Sequence, residues 1–402
     1  MKLQEACEFI IDCPHSTAND EGQGYPLIRT PNIGKGRLIL DNVHRVNEQV
    51  YNQRNARGIP QDDDLIFARE APAGNVAIIK NGEKVCLGQR TVLLRPNKSI
   101  VNPDYLTYYL LAPKQQYGLT GTANGATVAH VNIPTIRNLE IALPDMPTQN
   151  KVANTLKAFD DLIENNQKAI SLLEETGQRI YSKWFVDMQY PGCESATFID
   201  GKPDTWSIKE LSEVFDYIRG KSYTSKELSD NKGTLMVNLK NIRSFGGYKR
   251  NAEKRFIGQF KETQALSAGD LVMGVTDMTQ ERRLVGHVAI IPDFGEPATF
   301  SMDLIKLLPK CVTKNFLYAT MFFGGFSKKI SPFANGTNVL HLKPDSMMNL
   351  KMLIPDEQTI RRFDSVFEPL RKEIEILQNQ SESASEARDR LLPKLMNGEI
   401  EI

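Results

Sequence analysis

Net charge is missing from this 402-residue chain, in which Lys and Arg total 49 and Asp and Glu also total 49. A polybasic coat protein or an acidic tail protein is thereby excluded, although a basic patch balanced by acid elsewhere is not. Cysteine is scarce. Cys7, Cys13, Cys86, Cys193 and Cys311 are odd in number, scattered and never in a CxxC pair. That argues against a disulfide framework or structural zinc and for a reducing, cytoplasmic setting. No apolar run is long enough to span a bilayer, since the stretch 106–112 is short and broken by Thr107. Nothing after Lys2 reads as a signal peptide.

Catalytic signatures are lacking as well. Arg219-Gly220-Lys221-Ser222 resembles the end of a phosphate loop, but Phe215 stands where that loop needs glycine. Asn102-Pro103-Asp104-Tyr105 approaches the Asn-Pro-Pro-Tyr motif of adenine methyltransferases. No glycine-rich turn for S-adenosylmethionine accompanies it, so a helix N-cap at Asn102 or Asp104 is the better reading. His15, His44, His130, His287 and His341 lack the spacing of a metal pair, and no HExxH or GxSxG occurs. Asp62-Asp63-Asp64 reads as a solvated turn entering a strand. No catalytic residue and no metal site is expected.

What is present is a repeat. Residues 123–131 (ANGATVAHV) return as 334–342 (ANGTNVLHL), 211 positions on. Residues 27–33 face 236–242, Asp64-Leu65 face Asp270-Leu271, and 76–79 (VAII) face 288–291 (VAII). An ordered series at nearly constant offset means a tandem duplication of about half the chain. With 41% hydrophobic and 24% charged residues, each half has material for a core.

Within each half, short strand-like runs (76–79, 91–94, 235–239, 288–291) and one helical stretch (105–111, 316–323) predict a mixed α/β globule. A different pattern follows. Apolar residues recur at alternating steps of four and three through Val152, Leu156, Phe159, Ile163, Ile170, Leu173 and Ile180, with Asn166 and Gly177 on the same seam. The second copy runs Ile360, Phe363, Phe367, Leu370, Ile374, Leu377, Ser381, Ala384, Arg388 and Leu391. Sustained heptads predict two long helices, paired antiparallel as an intramolecular coiled coil, with Asn166 fixing register against a polar partner. Phe159, Phe363 and Trp184 are expected to lie exposed on this rod, and Pro369 to kink the second helix. The expected organisation is an α+β chain: a first globule at 1–147, a spacer helix at 148–188, a linker at 189–205, a second globule at 206–355, and a second helix with tail at 356–402.

The ordered set Gly125-Ala126-Thr127, Asn138-Leu139, Leu143-Pro144 and Gln149, the first-helix ending 180–187 (IYSKWFVD) and the second-helix ending 390–400 (RLLPKLMNGEI) carry a resemblance. Over nearly its whole length the chain resembles the specificity subunit of type I restriction-modification enzymes. The resemblance implies two target recognition domains, each reading one half of a split double-stranded DNA sequence. The helices would then set the gap and dock two modification (adenine methyltransferase) subunits, joined by translocating restriction subunits. It implies no cofactor on this chain; S-adenosylmethionine, ATP and Mg would serve the partners.

On that reading the charge divides unevenly. Residues 1–147 hold 15 basic and 15 acidic side chains, whereas residues 206–355 hold 21 and 14. Major-groove readout uses Arg, Asn and Gln, with Lys and Arg holding phosphates. The candidates for DNA contact are Arg29, Asn32, Lys35, Arg37, Asn124, Thr127 and His130 in the first half. In the second they are Lys240, Asn241, Arg243, Lys249, Arg250, Arg282, Arg283, Asn335 and His341. The recurring asparagines equally suit turns. A self-contained DNA-modifying enzyme and a coiled-coil scaffold without DNA binding are the alternatives.

Overall fold

The duplicated runs form the same sheet twice. In the first half Cys7–Asp12, Thr91–Pro96, Leu65–Ala68 and Val76–Ile78 lie side by side, each antiparallel to its neighbour, and Gly36–Arg37 adds a parallel edge. In the second half Phe215–Arg219, Leu304–Pro309, Leu271–Gly274 and Val288–Ile290 repeat that order. The strands Leu65–Ala68, Val76–Ile78 and Leu271–Gly274 are apolar and buried at every position, which is why they read as continuous runs rather than alternating ones. A second sheet also recurs. Tyr25–Ile28 sits between antiparallel Arg45–Val46 and parallel Cys86–Leu87. Thr234–Val237 sits likewise between Lys254–Phe256 and Ala298–Phe300. The expected helices are Pro103–Leu111, capped by Asn102 Oδ1 on the Tyr105 N–H at 3.0 Å, and Lys314–Phe322, capped by Thr313.

The computed structural model describes residues 1–121 and 130–401. It divides into unit 1, Met1–Gln167 with Asn379–Ile402, and unit 2, Lys168–Gln378. The long helices Met146–Tyr181 and Glu357–Met396 are each shared between the units, so the compact parts do not follow a linear division into globule and helix. Each unit combines one globule with a segment of both helices.

In unit 1, Val152 and Leu156 join Leu3, Tyr105, Leu106, Tyr109 and Leu395 in one core, against which Leu391, Leu392 and Met396 pack. Asp160 is buried there, receiving the Tyr108 hydroxyl at 2.5 Å and Arg388 Nη1 at 2.5 Å. Asn166 is buried and donates to Gln380 at 3.4 Å, the polar partner its seam position calls for. In unit 2, Tyr181, Trp184 and Phe185 meet Trp206, Phe316 and Phe363 in an aromatic core. A Cβ on Gly177 would stand 3.0 Å from the Phe367 ring and 3.4 Å from that of Phe323, so glycine is what allows this approach.

The seam residues are all buried or half-buried: Val152, Leu156, Ile170, Ile360, Phe363 and Phe367 fully, and Phe159, Ile163, Leu173, Ile180, Leu370, Ile374, Leu377 and Leu391 in part. The expected exposure of the aromatic residues on the rod is corrected. Phe363 is 0% and Trp184 9% exposed, covered by their own chain, and Phe159 is half-buried. Helix continues unbroken through Pro369, whose ring is exposed. The triplet 62–64 is the expected turn into the strand at Leu65, with Asp62 exposed, but it is not solvated throughout. Asp64 is buried against Arg95 at 2.7 Å, Asp63 pairs with Lys80 and Lys98, and Asp62 accepts the Gly82 N–H.

Candidate nucleic-acid interface

At one end of each main sheet the chain leaving the same strand brings a polar side chain to the repeated histidine. In unit 1 the strand Leu65–Ala68 leads into Arg69 and Glu70. Arg69 is held by Asp12 at 3.1 Å and by the Val131 carbonyl at 3.0 Å, and its Nη2 meets His130 Nε2 at 2.9 Å. Glu70 takes His130 Nδ1 at 2.5 Å and Arg90 Nε at 2.9 Å. His15 adds to the cluster through Asp12 at 3.0 Å. His130 stays exposed, so this network presents imidazole and guanidinium edges to solvent on a frame of fixed carboxylates.

At the offset of 206 that relates the two strands, Arg69 and Glu70 correspond to Val275 and Thr276, and Thr276–Asp277 form a short strand paired with Leu340–His341. Thr276 Oγ1 lies 3.5 Å from His341 Nδ1. Asp277 is fully buried and accepts four donors: the Thr279 N–H and hydroxyl at 2.8 Å each, the Leu284 N–H at 2.6 Å and the Val285 N–H at 3.1 Å. Burial opposes its ionisation, and the donors outweigh burial, holding its pKa below the ordinary carboxylate range. The carboxylate thereby shapes the loop 278–285, which carries exposed Met278, Gln280 and Arg283 and half-buried Arg282. Gln280 donates to the Thr337 carbonyl at 2.8 Å, and Arg283 pairs with Glu281. Asn335 and His341 close the repeated loop by exchanging backbone hydrogen bonds at 3.0 and 2.9 Å, with both side chains exposed.

Four residues expected at DNA serve the fold instead. Asn32 is buried, accepting from the Arg29 N–H and donating to the Ile39 carbonyl. Asn241 is 0% exposed, accepting from the Asn238 N–H and donating to Lys249 O and Glu253. These are turn residues with no face left for a base. Arg37 reaches Asp161 at 3.0 Å and Glu164 at 3.8 Å on the first long helix, and Arg243 reaches Glu174 at 2.6 Å on the same helix. Both fasten a globule to its support. Lys35, Lys240 and Lys249 are exposed, and Arg29 and Arg250 half-buried. Asn124 and Thr127 lie outside the described residues.

Glu70, Asp277 and Asp12 escaped sequence reading because a carboxylate adds nothing to a search for DNA-binding cations. The equivalence of Glu70 and Thr276, at the same offset of 206 as Asp64 and Asp270, is the signal that would have found this site. Among the described residues no group of three or more His, Cys, Asp or Glu is placed to hold a metal, and no helix is long and apolar enough to cross a membrane.

Comparison with known proteins agrees with this geometry. The family model for the type I restriction modification DNA specificity domain matches residues 1–175 and 203–384. Similar proteins include the type I restriction enzyme MjaIX specificity subunit of Methanocaldococcus jannaschii, 26% identical over 368 residues, covering 89% of this chain and 82% of that one. The HindI specificity subunit of Haemophilus influenzae is 20% identical over 404 residues, covering 84% and 86%. The crystal structure of a type I restriction-modification S subunit from M. genitalium shares the fold at a TM-score of 0.55 and 16% identity, over 98% of both chains. The chain belongs to the type I restriction modification DNA specificity domain family, whose model it matches in both of its halves.

Proposed function

We propose that this chain is the DNA-sequence-specificity subunit of a type I restriction-modification complex. One globule reads one half of a bipartite target and the other globule reads the second half. The long helices pair as an antiparallel coiled-coil spacer that sets the gap and docks two modification subunits, with restriction subunits joining that core. The chain acts in the cytoplasm as a non-catalytic reader. S-adenosylmethionine, ATP and Mg belong to the partners' chemistry.

The observation that carries this reading is the repeated strand-end site. One backbone frame carries Arg69, Glu70 and His130 in one copy, and Val275, Thr276 and His341 in the other. A purely structural role would keep the tips alike. Two readers of different half-sites need a common frame with altered tips. Further support comes from the excess of basic residues in 206–355, suited to phosphates. A helix of 36 residues rises about 54 Å, more than the 34–36 Å or so of one turn of B-DNA.

The test is to exchange residues 206–355 for the corresponding segment of a relative and to map methylated adenines in the DNA of cells carrying the system. One half of the methylated sequence changes and the other stays. A change in both halves, or methyl transfer to DNA by the purified chain without any partner, overturns the proposal.

A further inference from the structure

Unit 1 holds an open cavity of about 390 Å³ whose polar wall includes Asp20, Arg29, His44, Arg54, Gln89 and Arg90. Two of these cations have no carboxylate at ion-pair distance. Arg54 is only 6% exposed, yet its guanidinium donates to carbonyls alone apart from the Ser16 hydroxyl: Leu87 O at 2.7 Å, Ser16 O at 3.0 Å and Pro14 O at 3.4 Å. Among the described residues no carboxylate pairs with it. Arg29 has its Nε buried without an acceptor. The fold does not need that side chain, because the turn is made by the Arg29 N–H donating to Asn32, just as the Asn238 N–H donates to Asn241 in unit 2. At the position equivalent to Arg29, unit 2 has Asn238, buried and bonded to Asn241 and the Ala252 carbonyl. The guanidinium is therefore peculiar to unit 1.

The nearby carboxylates make their contacts with other groups, although Asp20 also feels the charge of Arg29. Asp20 accepts from the Gly22 and Arg45 N–H groups and faces His44 at 3.8 Å. Glu70 binds Arg90 and, through its other oxygen, His130. Arg90 thus links the cavity directly to the strand-end site.

We propose that this cavity seats a phosphate, anchored by Arg29, and that in the working complex the phosphate belongs to the backbone of the DNA half-site read by unit 1. This rests on the DNA-reading function proposed above. A planar guanidinium fork matches phosphate oxygens, and an anion relieves the buried charge of Arg54, which no carboxylate pairs. Such a contact fixes register and does not select bases.

The experiment uses the full chain assembled with its methyltransferase subunits, as wild type, Arg29→Ala and Arg29→Lys. DNA affinity is measured against salt on a duplex carrying the methylated sequence and on a scrambled duplex, with thermal melting as a check on folding. Arg29→Ala is expected to weaken both duplexes by about tenfold and to reduce the salt slope by about one, leaving the methylated sequence unchanged. Arg29→Lys restores most of the slope. Unchanged affinity and slope overturn the proposal, as does an altered half-site at unchanged slope, which makes Arg29 a base reader. If millimolar inorganic phosphate raises the melting temperature of wild type but not of Arg29→Ala while DNA binding stays equal, the cavity serves free phosphate and the DNA assignment falls. Absence of sequence-selective binding by the wild-type complex is a separate result, which removes the function proposed above.

Discussion

Asp277 shows how one buried carboxylate organises a surface loop. Its two oxygens satisfy four donors from residues 279, 284 and 285. Asp277→Asn places an amide NH2 against N–H groups, leaving buried donors unpaired at about 1–3 kcal/mol each. The expected result is a destabilisation of about 3 kcal/mol by chemical denaturation and faster proteolysis within 278–285, without aggregation of the chain. The pH dependence has a definite sign. A folded pKa held below the ordinary value contributes stability above the unfolded carboxylate range, and that stability is lost as pH falls through the folded pKa. Asp277→Asn is therefore less sensitive to acid than the wild type, which a series of melting curves at falling pH reads directly.

At the scale of elements, the helices were legible because mostly apolar residues recur at alternating steps of three and four over nine positions in one and ten in the other, and side chains at that spacing must share a face. The register was not legible. Apolar counting puts Phe159 on the seam, and the neighbouring Asp160 is the more deeply buried, at 4%. A carboxylate reads as surface until its partners Tyr108 and Arg388 are known, and these lie 52 and 228 residues away. Breaking that pair has a predictable cost. Arg388→Met strands a buried charge and is expected to destabilise the chain by about 3–5 kcal/mol, whereas the double variant Asp160→Leu with Arg388→Met recovers most of the loss. Denaturant midpoints of the two variants check this. An Arg388→Met chain as stable as wild type would mean that Asp160 is held by Tyr108 alone.

For the whole molecule, zero net charge conceals an uneven distribution, with a neutral first globule, a basic second one and acidic helices and linker. The helical segments of unit 2 also carry exposed apolar side chains, Leu172 at 63%, Ile376 at 48% and Val366 at 41%. On the proposed function these belong to the surface that docks modification subunits, since a protein interface is built around apolar anchors. Leu172→Glu combined with Ile376→Lys leaves thermal stability nearly unchanged, as exposed substitutions do, and weakens co-purification of the methyltransferase subunits by at least about tenfold. Unaltered co-purification would move the docking surface elsewhere on the chain.

The sequence by itself determined the duplication, the mixed α/β globules, the two long helices and the seam residues, because hydrophobic periodicity and internal repetition are local properties that need no knowledge of partners. Only the tertiary structure decided which polar residues remain available for recognition. Asn32 and Asn241 close turns through their neighbours' backbone, Arg37 and Arg243 are tied to helix carboxylates 124 and 69 residues away, and Arg29 is left facing a cavity. A polar side chain carries the same letter whether its hydrogen bonds are satisfied inside the fold or left for a ligand. Which of the two applies depends on atoms brought beside it from distant parts of the chain.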